Sequence, residues 1–101
     1  MRLLAAAFVF AAASAFSSGA HADAAKGGEL ARRWCAACHL VAANQERAPT
    51  VAPPFATIAK RPNFDAKQLA QSMLAPHPQM PDRALSREEA DDITAYIRTL
   101  R

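Results

Sequence analysis

The hydrophobic pattern divides the chain into an apolar opening and an amphipathic remainder. From Leu3 to Phe16 the residues are almost all apolar, whereas beyond residue 23 apolar positions recur at helical spacing. Leu30, Ala31 and Trp34 share one face and predict a first helix from Ala24 to Cys35. A middle helix is expected from Asp65, which with Gln68 forms a D-x-x-Q capping box, through Leu69, Met73 and Leu74 to a stop before Pro76. A last helix follows the capping box of Ser86 and Glu89, with Ala90, Ile93, Ile97 and Leu100 as its apolar stripe. No strand-like alternation occurs in the remainder, so the fold class is all-α.

All seven prolines fall between Pro49 and Pro81, and no glycine follows Gly28. The connections are therefore stiffened by proline rather than loosened by glycine. Within them "PPFATIA", residues 53–59, suits one short helical turn.

The apolar opening has the parts of an export leader. Arg2 gives it a positive start, the run of about 14 apolar residues is short of the roughly 20 that span a bilayer, and Ala20-His21-Ala22 is an A-x-A cleavage pattern. An uncleaved anchor is the competing reading. Residues 1–22 are read as a signal peptide and residues 23–101 as one domain, with the mature chain beginning near Asp23. No cysteine lies near the cleavage site to take a lipid, so no stable membrane insertion is expected after cleavage, and the location implied is a bacterial periplasm.

Charge adds little. The chain has 12 basic and 9 acidic side chains, and loss of Arg2 with the leader lowers the excess further, which is no argument for nucleic acid. The basic residues, among them Lys26, Arg32, Arg33, Arg47, Lys60, Arg61 and Lys67, gather in the first half; Asp82, Glu88, Glu89, Asp91 and Asp92 make the end acidic. Such runs are ordinarily solvated faces, but the basic one adjoins the most chemical stretch of the chain.

That stretch is "RRWCAACHLV", residues 32–41, which holds both cysteines, three positions apart, with His39 next. Four chemistries compete for it. A disulfide between Cys35 and Cys38 would close only a tiny loop and stabilise little. A thioredoxin-type pair belongs after a strand, and no strand is expected here. Zinc needs four N or S donors, and His77 is the only other histidine after the leader. Attachment of a c-type haem uses every residue: the two thiols add to the vinyl groups on one porphyrin edge, and His39 supplies an axial imidazole. About 79 residues also form too small a core to be comfortable without a staple or a bulky prosthetic group.

A six-coordinate iron needs a second axial donor, and Met73, His77 and Met80 are available. Met73 lies four residues after Leu69 on one helical face, the place of a core methionine. Met80 lies in "HPQMP", braced by Pro78 and Pro81 where no regular helix forms, and is assigned as the ligand, with His77 the rival. Trp34 is left between the haem edge and plain cover for the first helix; Phe55, Phe64 and Tyr96 read as core.

In these features the chain resembles the class I monohaem cytochromes c, over all of residues 23–101. "KGGELARRWCAACH" is similar to the family's N-terminal helix, in which a glycine eight residues before the first cysteine lets that helix cross the C-terminal one; Gly27 holds that position. "DDITAYIRTL" resembles the C-terminal helix, with Tyr96 as its packing aromatic, and "MPDRALSREEADDITAYI" keeps the family order of axial Met, Pro, capping box and last helix. The resemblance implies crossing terminal helices around a haem pocket closed by Pro-rich loops. It also implies that a backbone carbonyl, of Pro53 or its neighbour Pro54, orients His39. The chain is shorter than mitochondrial cytochromes c and lacks their Lys-rich face, so their oxidase partners are not carried over.

The function expected is electron transfer through one covalent haem c held by Cys35, Cys38, His39 and Met80, with redox proteins as partners docking near Arg32 and Arg33 and no catalysed reaction. The chain would act as a monomer or as a subunit of a redox complex, a periplasmic dehydrogenase among them. A peroxidase or gas sensor is the alternative if Met80 binds weakly, and a thiol oxidoreductase is a third.

Overall fold

The computed structural model describes residues 21–47, 49–75 and 85–101. Four helices and no strand occur among them: α1 (Ala24–Trp34), α2 (Phe55–Ala59), α3 (Ala66–Leu74) and α4 (Arg87–Arg98). The domain is all-α, as its sequence pattern predicts. The apolar run of residues 3–16, expected to stand apart from the domain, lies outside the described residues, as do His77 and Met80.

Each long helix begins where its capping chemistry is written. Asp23 is extended and its carboxylate accepts from the Lys26 amide at 3.0 Å; Asp65 does the same for the Gln68 amide at 3.0 Å. Only at α4 is the reciprocal box complete. There the Glu89 amide donates to Ser86 Oγ and the Ser86 amide donates to Glu89 Oε1, both at 3.0 Å. The short α2 starts directly after Pro53-Pro54, whose fixed φ delivers the chain into its first turn without a side-chain cap. No described residue has a positive φ, in keeping with connections that contain no glycine.

Helix α4 is the spine on which α1, α2 and α3 all pack. Its Ile93 and Ile97 are fully buried in one cluster with Leu30, Ala31, Cys35, Val41, Phe55 and Ala59, and Ala90 of the same stripe is fully buried as well. Each of the two isoleucines stabilises the fold by about 1.5–3 kcal/mol relative to exposure. At Gly27 the two backbones meet: a Cβ there would run into the Asp92 carbonyl and lie 2.8 Å from the Ile93 nitrogen. One turn along, the Tyr96 ring covers Gly28, and the Arg32 guanidinium stands over that ring, 5.7 Å from its centroid.

Helix α3 departs from its predicted stripe in one respect. Leu69 and Met73, four residues apart, pack on the core, but Leu74, the last residue of the helix, is 40% exposed. Ala70, one turn earlier on the same face, is buried.

Candidate haem site

The first helix does not stop cleanly at Cys35; it unwinds through overlapping turns. The Cys35 amide donates to the Ala31 carbonyl at 2.8 Å, and both the Cys38 and His39 amides donate back to the Cys35 carbonyl, at 3.2 and 2.9 Å. The two thiols and the imidazole are thereby gathered in one helical turn anchored to α1. Both cysteines are free, Cys35 buried and Cys38 half-buried. Burial pushes the Cys35 thiol up to about 11. A redox-active pair needs a depressed thiol, so the environment opposes the oxidoreductase reading.

His39 is buried, and two contacts define its ring. Nδ1 lies 2.6 Å from the Pro53 carbonyl, which can only accept, so Nδ1 carries the proton. Nε2 is left with the lone pair. Phe55 packs on the same ring at 5.0 Å between centroids, with planes inclined by 53°. The Pro53 carbonyl is held in register by two backbone bonds on either side, from the Ala52 amide to the Cys38 carbonyl at 3.1 Å and from the Phe55 amide to the Leu40 carbonyl at 3.0 Å. A short extended stretch thus runs beside the cysteine turn, and of the two adjacent prolines it is Pro53 that faces His39.

Two further residues brace the site, and the sequence pattern does not single out either role. Gln45 acts as a clamp: its Oε1 accepts from the Val41 amide at 2.9 Å, while its Nε2 donates to the carbonyls of Ala36 at 3.1 Å, His39 at 3.3 Å and Arg47 at 2.9 Å. Tyr96, read from sequence as a packing aromatic, also donates its hydroxyl to the Val41 carbonyl at 2.6 Å, tying α4 to the segment after His39. A lone glutamine six residues past a motif carries no periodic signal; only its central place in the loop reveals the clamp. Trp34 packs at the edge of the same core.

The donor set fits a covalently held porphyrin. It offers two unpaired thiols, one imidazole with a free basic nitrogen and a fixed proton on the other, and apolar walls from Val41, Phe55, Ile58 and Leu69 nearby in the core. It does not fit zinc: among the described residues no three His, Cys, Asp or Glu side chains are grouped to hold a metal ion by themselves. Cys35, Cys38, His39 and Pro53 come together; Met80 lies outside the described residues. Arg32 and Arg33 are both exposed next to the turn, Arg32 stacked on Tyr96.

Comparison with known proteins agrees with this chemistry. The family model described as Cytochrome c matches residues 24–101. Cytochrome c-552 of Bradyrhizobium diazoefficiens is 53% identical over 93 residues, which cover 92% of this chain and 89% of that protein. No solved structure gives a significant match. A helical domain, a thiol and imidazole set suited to haem c, and a family match over the whole domain lead to one conclusion: the chain belongs to the cytochrome c family, as a haem c electron-transfer protein that carries electrons rather than catalysing a reaction.

Proposed function

We propose that the chain is an exported carrier in which residues 1–22 are a cleaved leader and residues 23–101 a single periplasmic domain. In that domain Cys35 and Cys38 attach the haem, and His39 and Met80 are the axial ligands. The observation that carries the reading is the bond from His39 Nδ1–H to the Pro53 carbonyl. It fixes the tautomer, leaves Nε2 as the basic nitrogen and limits rotation of a buried ring, which are the requirements of an axial ligand. The family match, which begins at residue 24, supports the division at Ala22. No helix among the described residues is long and apolar enough to cross a membrane.

When bound, haem c supplies a one-electron ferric–ferrous couple. The polypeptide's part is to hold its ligands with little movement between the two states. Gln45 and Tyr96 restrain the backbone on either side of Val41, and Phe55 restrains the imidazole, so His39 has little freedom to reorient. A thioether from Met80 would favour the ferrous state, raising the potential. Arg33, exposed beside the cysteine turn, and Arg32 form the docking face for redox partners, with weak, salt-sensitive attraction to an acidic surface.

The decisive experiment is Met80→Ala in the holoprotein. The variant is expected to bind carbon monoxide when reduced and to gain peroxidase activity, while the parent does neither readily. An unchanged ferric spectrum would remove Met80 from the ligand set and favour the sensory alternative.

A further inference from the structure

Asp92 is a carboxylate where the fold has least room for one. It lies on the face of α4 that meets Gly27, is only 3% exposed, and uses Oδ1 to accept from the Asp23 amide at 2.7 Å. Its Oδ2 is buried with no partner among the described residues. A buried carboxylate with one open oxygen is costly, and a peptide amide has a single proton, already given to Oδ1. The uncut chain therefore cannot satisfy Asp92 from this nitrogen.

We propose that cleavage between Ala22 and Asp23 creates the missing donor, so that the new α-ammonium of Asp23 occupies a carboxylate site built by Asp92. The inference rests on the leader assignment above. Hydrolysis consumes one water: the Ala22 carbonyl leaves as a carboxylate, and the Asp23 nitrogen becomes an ammonium with three protons. One proton keeps the bond to Oδ1 and another reaches Oδ2.

The same step creates a second need that Asp92 meets. A free ammonium at the start of α1 opposes the helix dipole, whose N-terminal end is already positive. The first turn of α1 contains no acid and does contain Lys26. Within its own segment the new terminus has the Asp23 carboxylate and, three residues on, Lys26; the charged group bonded to it from α4 is Asp92. Asp23 is partly committed to the Lys26 amide as N-cap, which leaves Asp92 as the principal counter-charge. In the mature protein the ion pair would fasten the start of α1 to α4 at the point where the two backbones touch.

The test uses the exported, haem-loaded protein. N-terminal sequencing identifies the first residue, and a pH titration of α-amine labelling gives its ionisation. An Asp23 amine ionising at least about one pH unit above the ordinary range near 8, and returning to that range in Asp92→Asn, is the expected result. An Asp23 terminus with an ordinary, unshifted amine overturns the ion pair while leaving the leader assignment intact. A terminus at any other residue overturns both. The titration of the parent protein alone decides the matter if Asp92→Asn does not fold.

Discussion

The Tyr96 hydroxyl donates to the Val41 carbonyl at 2.6 Å, across 55 residues of sequence, and so fastens the last helix to the loop that follows His39. The ring of the same residue covers Gly28 on α1. One side chain therefore links the terminal helices to each other and to the haem-binding turn. Tyr96→Phe keeps the ring and deletes only the bond, leaving a buried residue's carbonyl short of a donor. Denaturant unfolding of the ferric holoprotein is expected to show a loss of about 1–2 kcal/mol, with the packing between α1 and α4 preserved.

Gly27→Ala tests the close approach of the helices. Alanine is the better helix former by about 1 kcal/mol, so propensity alone forecasts a stabilised protein. The added Cβ, however, would run into the Asp92 carbonyl, which is backbone and cannot step aside. The expected outcome is net destabilisation by about 1–3 kcal/mol, read from the denaturant midpoint. Gly28→Ala should be milder, since one of its nearest neighbours, at 3.0 Å, is the flexible end of Arg32.

Gln45 offers a test of the clamp in which charge separates it from ordinary packing. Gln45→Ala removes one acceptor and the donors to three carbonyls, and a loss of about 1–3 kcal/mol is expected. Gln45→Glu retains the acceptor for Val41 but sets a carboxylate against the carbonyls of Ala36, His39 and Arg47. At neutral pH it should be at least as damaging. Because folding then disfavours the charged carboxylate, its ionisation shifts up, and stability should recover as the pH falls and the group is protonated. A pH-independent deficit equal to that of Gln45→Ala would reduce the role to packing.

Met73→Ala separates core from ligand. The side chain packs on the core but is only half-buried, so the expected cost is about 1–2 kcal/mol, below the range for a fully buried methionine. The visible spectrum should stay that of the parent. A changed spectrum with unchanged stability would place Met73 at the iron.

Cys35→Ser combined with Cys38→Ser addresses the need for the prosthetic group. The core gathers small and medium residues, with Ile93, Ile97 and Val41 the largest that are fully buried. Such a core is slight for a domain of about 79 residues, and the haem-free variant is expected to be largely unfolded by circular dichroism. A cooperative thermal transition without haem would show that the polypeptide core suffices.

Local chemistry is what the sequence determined by itself. The starts of α1, α3 and α4 follow from Asp23, Asp65 and Ser86, because a cap satisfies donors within its own turn and needs nothing remote. The helical turns of C-x-x-C-H are equally local, with the Cys35 amide bonded to Ala31 and the Cys38 and His39 amides bonded to Cys35, so the chemistry of thiols and imidazole could be read before any fold. Resemblance to a family added the expectation that Gly27 meets the last helix.

Tertiary structure decided the rest, because each remaining feature depends on the path of a loop or on contact between elements, which no periodic pattern encodes. Whether Pro53 or Pro54 faces His39 depends on backbone register between two loops. Gln45 becomes a clamp only because the loop wraps around its amide, and the Tyr96 hydroxyl has a partner only because α4 passes the turn. Asp92 carries the plainest lesson. In sequence it is one acid in an acidic run, indistinguishable from its neighbour Asp91; helix phase turns Asp92 inward to the start of α1 and leaves Asp91 exposed. Polarity is written in the residue, but burial is set by which other helix that residue is made to face.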